Sequence, residues 1–100
     1  MNAPKLQSKV SRVLKPETVL LVNKCPTINW LGMEILERWA MNQPDELMSL
    51  EKNQLQLLIR LLEQQEMEQA ILERPENLTL LSEGLTRHEI LTQHEVSMSL

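Results

Sequence analysis

The chain has 100 residues, 42% of them hydrophobic, with ten lysines and arginines against fourteen aspartates and glutamates. That length accommodates one domain around one modest core. Phenylalanine and tyrosine are absent and glycine occurs only at Gly32 and Gly84, which excludes glycine-rich phosphate loops and leaves Leu, Ile, Val and Met to build the interior.

Leucine, glutamine and glutamate dominate, a mixture high in helix propensity and poor in strand formers. The expected fold class is all-α: a small helical bundle of four to five helices, with one long central helix and a basic N-terminal arm. Residues 1–15 read as a flexible arm, 16–96 as a single helical domain and 97–100 as a frayed tail. Charge is lopsided along the chain. The first sixteen residues carry +4 and the remainder carries −8, a separation compatible with a basic arm for nucleic acid and an acidic body for other partners.

Cys25 is the only cysteine, so no intramolecular disulfide forms and a reducing, cytoplasmic location is expected. The longest early apolar run is Val19 to Val22, too short for a signal peptide core. No segment approaches the ~20 apolar residues of a membrane span, so no membrane partner is expected.

In chain order, Leu6, Val10, Val13 and Leu14 fall at helical spacing opposite Lys5, Lys9 and Arg12. Such a segment is too short to be a stable helix alone. Pro16-Glu17-Thr18 has the proline and acid of a helix start, although Val19 to Val22 suits a short buried strand equally well. Thr27 is the expected cap of the next helix, whose stripe is Ile28, Leu31, Ile35 and Trp39. Gly32 lies within that stripe at a cost of about 1 kcal/mol in helix propensity, which points to close approach of another helix. Glu34 and Arg38 are spaced for an i, i+4 ion pair. Trp30 and Met33 project away from the stripe.

The longest apolar-rich run is 45–73, between Pro44 and Pro75. Its first half carries a stripe of Leu55, Leu58, Ile59 and Leu62, extended backward by Met48. Continuing that stripe would need apolar residues at 65, 66 and 69, where the chain has Gln65, Glu66 and Gln69. Met67, Ala70 and Ile71 follow about half a turn out of phase. Either one continuous helix shows apolar surface in two directions, or it breaks near Gln64. A short segment from Pro75 to Leu81 follows and ends at Gly84. Thr86-Arg87-His88-Glu89 then supplies a capping box for a last helix.

Catalytic and metal chemistry finds little support. His88 and His94 are six residues apart, not the i, i+4 of a helical zinc pair, and Cys25 has no histidine near it in sequence. No enzyme activity, metal or cofactor is expected. For nucleic acid, Lys5, Lys9, Arg12 and Lys15 could contact phosphates. Residues 80–91 loosely resemble a helix-turn-helix, but Glu89 and Glu95 would repel DNA there. For protein binding, Trp30 and Met33 form one candidate interface, since tryptophan and methionine are enriched at docking sites. Met67, Ala70 and Ile71 form a second, with a homodimer the expected occupant. The expected function is a small intracellular protein–protein interaction factor, of adaptor, inhibitor or regulator type, that occupies a partner's surface without catalysis. The alternative is a dimeric DNA-binding transcriptional regulator or antitoxin using the basic arm.

Overall fold

A computed structural model describes residues 6–100, with side chains from Lys9 onward. Among the described residues the fold is all-α, built from Leu6–Val13 (α1), Pro16–Lys24 (α2), Trp30–Asn42 (α3), Pro44–Glu51 (α4), Gln54–Leu72 (α5), Pro75–Ser82 (α6) and Arg87–Gln93 (α7). Seven helices replace the four to five expected. Two local causes account for the difference.

First, the run 45–73 divides at Lys52-Asn53 rather than at Gln64. Asn53 has extended backbone (φ −124°, ψ 98°), and its side chain accepts the Gln56 N–H. A new helix start is thereby capped two residues after α4 ends. Second, the described part of the basic arm is not an appendage. Val10 of α1 and Leu14 just after it are buried in the core, and α1 packs chiefly on α3. Tertiary contact supplies what eight residues lack as an isolated helix.

Proline at the first helical position opens α2, α4 and α6, where its missing N–H costs nothing. The 19–22 segment is helical. Glu51, buried at the end of α4, accepts the Lys15 N–H at 2.7 Å and so ties the start of α2 to α4. Asn29, not Thr27, caps α3, accepting the Leu31 and Gly32 N–H groups. The Thr86–Glu89 capping box of α7 forms in both directions.

α6 and α7 end alike. Leu85 N–H reaches back to Leu80 O across Gly84 at φ 104°, and Val96 N–H reaches Leu91 O across Glu95 at φ 57°. Both are Schellman closures, but the second places a glutamate in the left-handed region. The core joins Val10, Val22, Ile35, Leu36, Trp39, Leu47, Leu57, Leu61 and Ile90, contributed by every helix except α6.

Candidate interaction surface

The phase change expected in α5 has a different origin. The helix is continuous through Gln64 and Gln65, and its buried residues are Leu57, Leu61, Gln64, Gln65, Glu68, Ile71 and Leu72. At ~100° per residue these occupy one stripe about 120° wide. There is a single inward face, and its middle is polar. The stripe read from the sequence is not this face, since Leu55 is 65% and Ile59 44% exposed.

Polar groups hold that inward position because each finds partners, as burial demands. Arg38 reaches both Glu68 carboxylate oxygens at 2.9–3.1 Å. Gln64 Nε2 donates to Glu68 Oε2 at 2.7 Å, and Gln64 Oε1 accepts from Arg60 at 2.8 Å. Gln65 donates to Thr27 O at 2.8 Å and accepts the Asn29 N–H at 3.2 Å. Gly32 is what admits Gln65, since a Cβ there would run into Gln65 Oε1. The expected close approach at Gly32 is thus made by a side-chain amide of α5.

Burial pushes the Glu68 carboxyl above its ordinary range, opposed by the Gln64 hydrogen bond and by Arg38. The expected Glu34–Arg38 pair does not form. Arg38 turns inward to Glu68, while Glu34 is held by Arg87 at 2.7 and 2.9 Å. A helix-surface pairing gives way here to a buried, bidentate one.

The expected interface residues separate into two groups. Trp30 is 58% exposed, with the Arg87 guanidinium 4.8 Å from its ring centre. Beside it opens a groove of about 310 Å³ lined by Leu72, Leu78, Leu81, Gln69 and Glu73. Ala70 lines a second groove of about 550 Å³ with Thr27, Leu62 and Glu66, and both grooves share Asn29, Gln69 and Glu73. The fold therefore brings Trp30 and Ala70 to one side, divided by a polar ridge. Met67 is exposed but lines neither groove. Ile71 belongs to the core and Met33 is half-buried against it, so neither presents the outward face expected of it. Leu78, 52% exposed, was not among the expected interface residues.

Of the basic residues, Lys5 lies outside the described residues. Lys9 and Arg12 are exposed on α1, and Lys15 is exposed at the start of α2. Lys9 lowers the pKa of Glu37 on α3, but burial of that carboxyl outweighs it and the net shift is upward. Glu37 Oε2 is the one buried side-chain oxygen among the described residues without a hydrogen-bond partner. Cys25 is half-buried and takes part in no disulfide. His94 Nε2 lies 3.2–3.3 Å from the amide of Asn77, which itself donates to Ile71 O at the end of α5. Among the described residues no group of three or more His, Cys, Asp or Glu could hold a metal ion.

Residues 97–100, expected to fray, are held against the helices. Gln64 donates to Ser97 O at 2.9 Å, Trp39 Nε1 to Met98 O at 3.3 Å and Arg60 to Ser99 O at 3.1 Å. Leu100 N–H donates to Gln43 at 2.8 Å. Val96, Met98 and Leu100 pack on the core while Ser97 and Ser99 are exposed. That two-residue alternation is readable in the sequence and marks extended backbone.

No helix among the described residues is long and apolar enough to cross a membrane. No family model, curated protein or solved structure matches this chain.

Proposed function

We propose that this protein is a cytoplasmic, non-catalytic interaction factor of adaptor, inhibitor or regulator type, binding a partner protein through the face around Trp30. The observation that carries the reading is the exposure of Trp30 and Leu78 beside an apolar groove deep enough to receive a side chain. Tryptophan and arginine are both enriched where binding energy concentrates. The nearby Ala70 groove extends the contact area, and a second copy of the chain is the first occupant to test. Arg87, at the start of the helix that would read DNA, is engaged by Glu34 and Trp30. Lys9 sits within the electrostatic reach of Glu37. Both observations favour the protein-binding reading over the nucleic-acid one.

A photo-cross-linking residue at position 78, introduced in the native host, is expected to trap a discrete adduct, and Trp30→Ala is expected to abolish it. Mass measurement of the adduct distinguishes a second copy from another protein. Absence of any adduct from position 78, together with unchanged light scattering across concentrations, would overturn the reading.

A further inference from the structure

Residues 96–100 are bound in the manner of a ligand. Three successive carbonyls, of Ser97, Met98 and Ser99, each accept from a side chain of α3 or α5: Gln64, Trp39 and Arg60. Helix and strand neighbours would satisfy such carbonyls through backbone groups. An extended peptide is ordinarily held through its main chain, with pockets for alternate side chains; here side-chain donors take the place of main-chain partners, and Val96, Met98 and Leu100 supply the apolar anchors. The donors are themselves fixed from behind. Gln64 is fully buried and bonded to Glu68, and Arg60 lies 5.2 Å from the Trp39 ring centre while bonded to Gln64.

Two further observations separate this segment from the body of the fold. It is joined to α7 at Glu95, whose φ of 57° is the only positive value at a non-glycine described residue, a left-handed conformation that glutamate adopts at a cost. A second groove adjoins the docked segment at Leu100. A volume of about 580 Å³ between α4 and α5, lined by Leu50, Ile59, Arg60 and Leu100, is rimmed by Glu46 and Glu63.

We infer that the α3–α5 groove is a peptide-binding site which residues 96–100 fill in cis. Its ligand is an extended segment of a partner protein with apolar residues at three alternate positions, continuing into basic residues. The alternation follows from Val96, Met98 and Leu100. The basic continuation follows from the carboxylates of Glu46 and Glu63, which outnumber the Arg60 guanidinium in the adjoining groove. Binding in trans requires release of the tail, so the intact chain holds the site closed in proportion to the fraction of time the tail is docked. This site uses other residues than the Trp30 face and stands whether or not that face binds a partner.

The test uses the full chain and a fluorescent peptide of sequence Glu-Val-Ser-Met-Ser-Leu-Lys-Lys, with a control in which its Val, Met and Leu are replaced by Ser. Met98→Asp removes the central anchor, and the variant is expected to bind the peptide at least about tenfold more tightly than the unsubstituted chain. The control peptide is expected to bind neither. A folded variant that binds no peptide, or equal binding by both chains, would overturn the inference. A dimer of the unsubstituted chain that Met98→Asp dissolves would also overturn it, assigning the groove to the tail of a second copy.

Should Met98→Asp fail to fold, hydrogen exchange on the unsubstituted chain decides. The Leu100 amide is expected to exchange at least about tenfold faster than that of Leu61, through an opening that leaves α5 protected. Equal protection would make the tail an inseparable part of the core and end the proposal.

Discussion

Arg38 grips Glu68 through two guanidinium nitrogens at 2.9–3.1 Å on the inward face of α5, between buried leucines and isoleucine of the same stripe. The Glu68 side chain is fully buried and that of Arg38 is 21% exposed. Removing one partner strands the other in a desolvated site. Glu68→Leu is expected to destabilise the fold by about 3 kcal/mol, and the Arg38→Met/Glu68→Leu double variant to recover most of that loss. Urea denaturation of Arg38→Met, Glu68→Leu and the double variant closes the cycle. Independent, additive losses would show that the pair contributes no coupling.

The same carboxylate sets a pH dependence. Burial holds the folded pKa of Glu68 above its ordinary value near 4.5, so between those two values the folded state binds the proton more readily than the unfolded chain. This group's contribution is therefore greatest below pH 4.5 and is lost as pH rises through the folded pKa. Glu68→Gln has no such loss. Its stability relative to the unsubstituted chain is expected to rise with pH across that window and level off above it. Denaturation midpoints measured from pH 4 to pH 7 check the sign, and a fall in the difference would contradict it.

Gly32 and Gln65 form a second coupled pair. A methyl group at position 32 would meet Gln65 Oε1 and lie 2.8 Å from Ile28 Cγ2. Gly32→Ala gains about 1 kcal/mol in helix propensity but forces Gln65 from its bonds to Thr27 and Asn29, and overpacking of this kind costs roughly 1–3 kcal/mol. A net loss near 1 kcal/mol is expected by thermal melting. In a Gln65→Ala background only the Ile28 Cγ2 contact remains, and the same substitution is expected to cost less. Equal effects in both backgrounds would mean that Gln65 does not set the requirement for glycine.

These pairs show what was legible in the sequence and what was not. The all-α class, the glycine inside the α3 stripe, the Gly84 stop and the Thr86–Glu89 capping box depend on local rules, and the chain obeys them. The inward face of α5 does not. Periodicity assigns Gln64, Gln65 and Glu68 to solvent, which turns one straight stripe into two apparent faces and makes Met67, Ala70 and Ile71 look like an unmet surface. Their burial depends on Arg38, Arg60 and the carbonyls of Thr27 and Ser97, partners 4 to 38 residues away in sequence. No local pattern carries that information. The exposure of Trp30 was legible, whereas the groove beside it needed α6 to arrive.

The two Schellman closures offer a comparison within one chain. Gly84 has φ 104° and Glu95 has φ 57°, so their substitutions should act in opposite directions. Gly84→Ala is expected to cost about 1 kcal/mol, because a Cβ disfavours that backbone even though nothing lies within 4 Å of it. Glu95→Gly is expected to stabilise by a few tenths to about 1 kcal/mol by removing the left-handed penalty. Chemical denaturation of both variants reads the two signs directly. Destabilisation by Glu95→Gly would show that the glutamate side chain makes a compensating contact.

The Trp30 cluster allows binding to be separated from folding. Arg87 pairs with Glu34 at 2.7 Å, but their side chains are 43% and 36% exposed, and ion pairs so open to water contribute under about 1 kcal/mol. The stacked arginine adds roughly 0.5–1 kcal/mol at an exposed ring. Trp30→Ala is therefore expected to lower stability by no more than about 1 kcal/mol, since more than half of Trp30 is open to solvent in the free protein. A tryptophan that becomes buried at an interface typically accounts for 2 kcal/mol or more of binding, about thirtyfold in affinity. Melting temperature and partner affinity measured on one Trp30→Ala preparation test both halves. A large loss of stability would place Trp30 in the structural core, whereas intact stability with unchanged affinity would remove this face from the binding reaction.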